Sequence, residues 1–214
     1  MLIDQPQSVL YRLLNTATFP FRGLLLHEES LGPLTSLRDE RMRAVATFCH
    51  GRVLDVGCGP KNCFIERCIG HENGVGIDVY AYEGVEHVIP DMTRLPFENG
   101  TFDTVTLIAV GGHIPKSVRV AEFAEFARIL KKDGHLVMTE GEPITQYLVH
   151  KWVRFLYALQ GREDVDTERG MVEGEEYCMS RREIIHLLNT PPLRFQARKR
   201  FMWGLNNIYV AVRE

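Results

Sequence analysis

The sequence predicts an α/β protein, with a Rossmann-like, doubly wound and mostly parallel sheet of seven strands. An antiparallel C-terminal hairpin strand would close the sheet, and helical N-terminal and insertion segments would cover it. Three observations carry this reading. From Arg52 onward, short apolar runs of strand length alternate with helical patterns, the mark of successive βαβ units. The first such run ends in a glycine-rich turn at the start of a helix. The final stretch instead holds two strand-like runs joined by a short turn.

Taken in order, Arg52 to Gly57 reads as the first strand and Asn62 to Ile69 as the helix behind it. Gly74 to Val79 is the second strand and Glu86 to Ile89 a short third. Phe102 to Ala109 is apolar enough to be a central fourth strand covered on both faces. Ser117 to Lys131 reads as a helix, because Ala121, Ala124, Phe126, Ala127 and Leu130 recur at helical spacing. Lys131 and Lys132 would then meet the negative end of its dipole, with Asp133-Gly134 ending it and His135 to Thr139 forming strand five. Ser180 and Glu183 make a capping box for a helix reaching about Asn189. Leu193 to Met202 and Asn206 to Val212 are the last two strands, turning at Trp203-Gly204-Leu205.

The whole of residues 1–214 reads as one domain. Residues 1–49 are a helical N-terminal cover, whose last helix starts near the Ser36-x-x-Asp39 box and stops at Gly51. Residues 50–140 are the ligand-binding core, 141–179 an insertion over it, and 180–214 the last helix and strands. Within the insertion, Leu148, Trp152, Phe155, Leu156 and Leu159 share an amphipathic face, and Gly161 to Glu176 reads as an acidic loop.

Composition narrows the function. With 214 residues, 45% hydrophobic and 25% charged, the chain can bury its own core without disulfides or a structural metal. A net charge of −3 gives no general field for nucleic acid. The N-terminus lacks the basic-then-apolar pattern of a secretory signal, and no run is long enough to span a membrane. Five cysteines, none in a CxxC pair, fit reduced thiols in the cytoplasm. Cys58, Cys63 and Cys68 are five apart, so a helix would turn them to different faces, and no metal site is expected.

The chemistry concentrates in Val53-Leu54-Asp55-Val56-Gly57-Cys58-Gly59-Pro60, a buried strand ending in a carboxylate and a two-glycine turn. Read as a GxGxxG dinucleotide fingerprint it fails, because Asn62 stands where the last glycine belongs. Asp78 closes the second strand, where a carboxylate can take both hydroxyls of a ribose. Ile89-Pro90-Asp91-Met92, Leu95-Pro96-Phe97 and Phe102-Asp103-Thr104-Val105 follow in order.

Together these segments resemble class I S-adenosylmethionine-dependent methyltransferases of the small type-11 kind. VLDVGCGP is similar to that family's first motif and GVGIDV to its second. PDMTRLPFENGTFDTV resembles the adenine-binding and fourth-strand segments, and RILKKDGHLVMTE the lead into strand five. The resemblance is continuous over about residues 50–140. It departs at Lys61, where the family has glycine, and at Lys132-Asp133-Gly134, where it has Pro-Gly-Gly.

The resemblance implies S-adenosylmethionine as cofactor and S-adenosylhomocysteine as product. Gly57, Cys58 and Gly59 would shape the loop under the methionyl and ribose parts, with Asp55 near the amino group. Asp78, beside Val79, would bind the ribose hydroxyls. Asp91 would accept from the adenine amino group, with Met92 along the ring. Ile108, Ala109 and Val110, running to Gly111, would line the methionyl pocket. His113, on the same sheet edge, is the candidate general base, since histidine ordinarily titrates near neutral pH.

Glu140, Glu142, Tyr147, His150 and Tyr177 are further candidates for acceptor contact. The expected acceptor is a small or lipid-linked molecule methylated at oxygen or nitrogen, by a monomer or homodimer with at most weak membrane-surface contact. Two other readings stay open. One is a non-catalytic protein that binds the cofactor and a partner. The other is an RNA methyltransferase using the basic residues Arg194, Arg198, Lys199 and Arg200.

Overall fold

The computed structural model describes residues 8–26, 29–159 and 178–214, with seven side chains of one helix left aside. The acidic stretch Gly161 to Glu176 and Tyr177 lie outside the described residues. Seven strands form one sheet: β1 (Val53–Val56), β2 (Gly74–Asp78), β3 (His87–Val88), β4 (Phe102–Ile108), β5 (Leu130–Gly141), β6 (Leu193–Phe201) and β7 (Asn206–Arg213). Their order is β3-β2-β1-β4-β5-β7-β6. From β3 through β5 every pair is parallel, whereas β7 runs antiparallel to both β5 and β6. The chain begins in the middle, winds outward to β3, then returns to place β4 on the other side of β1. A crevice therefore opens at the carboxyl ends of β1 and β4, where the winding reverses.

Strand residues alternate between two buried layers, and that is why the runs are apolar throughout. Leu54, Val56, Leu136, Met138, Tyr209 and Ala211 join one core cluster with Phe123 and Phe126. Val53, Val137, Ile208 and Val210 face the other, against Met42, Val45, Phe64 and Ile65. Each face is thus closed by helices.

The N-terminal helices are α1 (Val9–Ala17), α2 (Phe19–Leu25) and α3 (Leu37–Ala46). Arg22, 1% exposed, holds them together: its guanidinium donates to the carbonyls of Asn15 and Thr35 and pairs with Glu40 at 2.6 Å. Ser36 caps α3 by accepting from the Asp39 amide, as the box predicts, but the Asp39 carboxylate turns away to a bidentate bond with Arg67. The helix also ends at Ala46, well before Gly51.

Three other expectations need correction. The helix expected from Asn62 is a 3₁₀ turn, Pro60–Asn62, leading into a π-helical turn at Ile65–Ile69. Lys61 (φ 65°) and Asn62 (φ 44°) are left-handed, so a regular helix cannot start there.

The helix after β4 is α4 (Arg119–Ile129), and the chain is already extended at Leu130, which pairs with Phe102 in β5. Lys131 accordingly lies beyond the helix and donates to the Asp103 carboxylate at 2.8 Å. Only part of the predicted row faces the core, since Phe126, Ala127 and Leu130 are buried. Ala121 and Ala124 are exposed, while Arg119, Glu122, Phe123, Phe126 and Ala127 are buried.

The insertion begins with α5 (Pro143–Leu159), and α6 (Arg181–Leu187) opens at Ser180, which accepts from the Glu183 amide. The apolar side chains Leu148, Trp152, Phe155 and Leu159 of α5 are exposed, as are Val9, Leu10 and Leu13 of α1. Among the described residues no helix is long and apolar enough to cross a membrane.

Candidate functional site

The crevice at the switch point holds a cleft of about 530 Å³. Its floor is the turn after β1. The amides of Gly57 and Cys58 both donate to the Ile77 carbonyl, which ties the turn to β2. Gly57 sits at φ 69°, and a Cβ there would lie 2.6 Å from Val110 Cγ2, so only glycine lets this turn pack against the loop after β4. Gly59 has φ 66° but nothing within 4 Å of where its Cβ would be. That open face belongs to the cleft.

Asp78 ends β2 inside the cleft and is 6% exposed. One carboxylate oxygen accepts from the Gly59 amide at 2.9 Å and the other from the Tyr80 amide at 3.0 Å. Two backbone donors from different segments therefore fix this carboxylate, and its remaining lone pairs can still accept from a ligand. Lys61 takes the left-handed conformation at the place where the resemblance expects glycine. Its side chain is exposed and its amide donates to the Glu83 carbonyl, so the substitution does not fill the turn.

The loop after β3 supplies one wall through Pro90, Asp91 and Met92. Asp91 Oδ1 accepts from both the amide and the hydroxyl of Thr93, which holds its carboxyl below the usual range and leaves Oδ2 for another donor. The opposite wall is the end of β4. Ala109 turns the chain at φ 59°, its amide donating to Thr139 Oγ1, and the 3₁₀ turn Gly111–His113 follows. The His113 amide donates to the Val110 carbonyl, which sets the exposed imidazole at the rim of the cleft.

Of the residues singled out from the sequence as cofactor or base candidates, all line this cleft except Asp55, Cys58 and Gly111. Asp55 is buried within the sheet and accepts from Thr106 Oγ1 at 2.6 Å; burial pushes its carboxyl up to about 7. Burial, with the charges of Asp55 and Asp78, pushes the Cys58 thiol up, so it is a poor nucleophile. Glu140 is 5% exposed at the end of β5, with Oε2 unpartnered and its carboxyl raised by burial to about 7. Glu142 is engaged by Arg198 and by Asn207. Tyr147 is exposed on α5 beneath Lys151, while the side chain of His150 lies outside the described residues.

The structure adds one residue that sequence reasoning missed. Glu122 of α4 lines the cleft, 8% exposed, and burial together with the Asp91 charge raises its carboxyl to about 7. The basic row on β6 is partly neutralised, Arg194 pairing with Glu214 and Arg198 with Glu142. Among the described residues there is no cluster of three or more His, Cys, Asp or Glu placed to hold a metal ion.

Residues 30–169 match a family model described as a methyltransferase domain. A protein of Encephalitozoon cuniculi (strain GB-M1) named as a methyltransferase is 33% identical over 90 residues, which are 40% of this chain and 43% of that one. The chain thus spans less than half the length of the curated relative it matches. Among solved structures, a protein from Pyrococcus horikoshii OT3 superposes with a TM-score of 0.62 at 18% identity, over 83% of this chain and 90% of that one. A SAM-dependent methyltransferase of Methanosarcina mazei gives a TM-score of 0.55 at 18% identity, over 86% and 99% of the two chains. At such identities the likeness concerns the fold.

Proposed function

This chain belongs to the methyltransferase-domain family, whose cofactor is S-adenosylmethionine, and from that premise we propose that it methylates a small-molecule or lipid-linked acceptor at oxygen or nitrogen. The observation that carries the reading is Asp78. Its carboxylate is held at the switch point by the Gly59 and Tyr80 amides, facing a cleft with the open side of Gly59 beside it. A paired-hydroxyl ribose suits that acceptor, and a free Asp91 Oδ2 suits an exocyclic amine. The residues therefore fit the cofactor.

When bound, S-adenosylmethionine supplies a methyl group already activated on a sulfonium, with a neutral leaving group. The protein's own work is then alignment and proton removal. Gly57, Val110 and Ile108 would bound the methionyl end, and Asp78 and Asp91 the nucleoside end. His113, at the rim, would take the proton from the acceptor hydroxyl or amine. The exposed apolar side chains of α1 and α5 favour an apolar acceptor; they equally favour a partner-binding role without catalysis.

Thermal unfolding with S-adenosylmethionine, S-adenosylhomocysteine and an NAD control tests the premise. At a hundredfold excess over Kd a ligand specific for the folded state adds about 2.7 kcal/mol, a rise of roughly 5–10 °C for a chain of this size. The rise should vanish in Asp78→Ala. Release of S-adenosylhomocysteine on offering acceptors, lost in His113→Ala while cofactor binding persists, separates catalysis from mere binding. Turnover near wild type in His113→Ala would remove the imidazole from the mechanism.

A further inference from the structure

We propose that Glu122 is a base-reading residue of the cofactor cleft, which binds the adenine edge as a neutral carboxylic acid opposite the Asp91 carboxylate. The inference rests on the cofactor assignment above and goes beyond it, because it gives the site a second acid with a different charge.

Four observations lead there. Glu122 lines the cleft, in the first turn of α4, in a wall otherwise made by Ile114, Pro115 and Val118. It is 8% exposed, and among the described residues its carboxyl makes no hydrogen bond or ion pair. Nearly every other buried acid here is engaged: Asp39 by Arg67, Asp55 by Thr106, Asp78 by two amides. Finally, Asp91 and Glu122 line the same cleft, and the Asp91 charge adds to burial in raising the Glu122 carboxyl.

An unpartnered buried carboxyl is costly unless it is neutral or meets a ligand. Asp91 has settled its own charge on Thr93, so the proton falls to Glu122. The division suits adenine. Its amino group donates, which Asp91 Oδ2 can accept. The adjacent ring nitrogen accepts, and a carboxylic acid can donate to it while a carboxylate cannot.

Ionisable groups stand on each of the described elements near this wall, and Asp78, Tyr80 and Tyr82 line the cleft with it. Asp91 and Arg94 lie on the loop after β3, His113 and Lys116 on the loop after β4, Arg119 and Glu125 on α4 itself, and Glu183 on α6. Arg119 is turned to the Ile114 carbonyl and Glu183, and Glu125 to Arg128 and the Leu95 amide. Asp91 is the one whose charge acts on Glu122. With its carboxyl at about 7, Glu122 would be mostly protonated at pH 6 and mostly ionised at pH 8.

The test is the affinity of 5′-methylthioadenosine, measured calorimetrically on the full chain from pH 5.5 to 8.5. This probe keeps the nucleoside but has no amino acid part and no group of its own titrating in that range. The expected result is a Kd steady up to about pH 6 and about tenfold weaker at pH 8, as a single required proton dictates. Glu122→Gln, permanently neutral and of the same shape, should bind as the wild type does at pH 6 and stay flat.

A flat wild-type profile overturns the proposal, because binding then needs no proton. An unchanged slope in Glu122→Gln assigns the proton to another group and overturns it too. Loss of binding by a Glu122→Gln variant of unchanged melting temperature would show that an amide cannot replace the acid, against the neutral-donor role. If the wild type binds neither the probe nor S-adenosylhomocysteine at any pH while folded, the cofactor reading itself fails, and that outcome is distinct from a flat but measurable profile.

Discussion

Gly57 and Gly59 share a left-handed backbone, yet they should fail differently when a methyl group is added. At Gly57, alanine meets Val110 Cγ2 at 2.6 Å and Cγ1 at 2.9 Å, both inside contact distance, on the wall that bounds the cleft. Left-handed alanine costs about 1–2 kcal/mol, and forcing Val110 aside adds roughly 1–3 kcal/mol of overpacking. Gly57→Ala should therefore lose about 2–5 kcal/mol of folding stability. Gly59→Ala bears only the backbone part, about 1–2 kcal/mol, because nothing stands within 4 Å of the new carbon.

For the ligand the order reverses, since the open side of Gly59 faces the cleft beside Asp78. Urea unfolding read by circular dichroism gives the stabilities, and calorimetry with S-adenosylhomocysteine gives the affinities. The reasoning predicts a stable Gly59→Ala with binding weakened at least tenfold and an unstable Gly57→Ala. Equal destabilisation of both variants, or wild-type affinity in Gly59→Ala, would refute it.

Two further outcomes follow from named contacts. Glu140 has an ordinary carboxyl value when unfolded and about 7 when folded, so the native state alone holds its proton between those limits. Its contribution is complete at low pH and is lost as pH rises through about 7. The urea midpoint should fall between pH 5 and pH 8, with roughly 1–3 kcal/mol of that fall absent in Glu140→Gln; an identical fall in the variant would contradict the assignment. Trp203 donates its indole N–H to the Thr16 carbonyl and stacks on Phe19 at 5.4 Å, joining the β6–β7 turn to α1 and α2. Trp203→Ala should speed proteolytic cleavage within residues 8–26 several-fold while the rest of the chain resists, and unchanged cleavage kinetics would show that the helices are anchored elsewhere.

The strands were legible because their whole length is apolar, which only a sheet covered on both faces requires. Asp78 was legible for a related reason: a carboxylate closing a buried strand stands out against valine and isoleucine. Boundaries were harder to read where side chains compete with backbone periodicity. Lys131 and Lys132 look like helix-ending cations, but Leu130 is captured by Phe102 and Lys131 by Asp103, so the strand starts five residues early. Glu122 could not be found by hydropathy at all. Its helix buries two charged residues, Arg119 and Glu122, and exposes two alanines, so the periodic signal matched the buried face only in part. The glycine-rich turn was found by motif, whereas the place of Glu122 in the cleft wall depends on the rotation of α4, which no local pattern encodes.

The placement of β7 between β5 and β6 has a consequence for a chain made from its N-terminus forward. Among the described residues β6 pairs with β7 alone, so when it leaves the ribosome it has no described strand to join. Until residues 206–213 follow, β5 keeps an open edge and β6 is an unattached ribbon. At 5–20 residues per second that interval is on the order of a second or longer. During it the nascent protein presents unpaired edges on both β5 and β6 that another chain could capture. Synthesis arrested in this window, more than damage to the finished fold, is where this architecture is most exposed to aggregation.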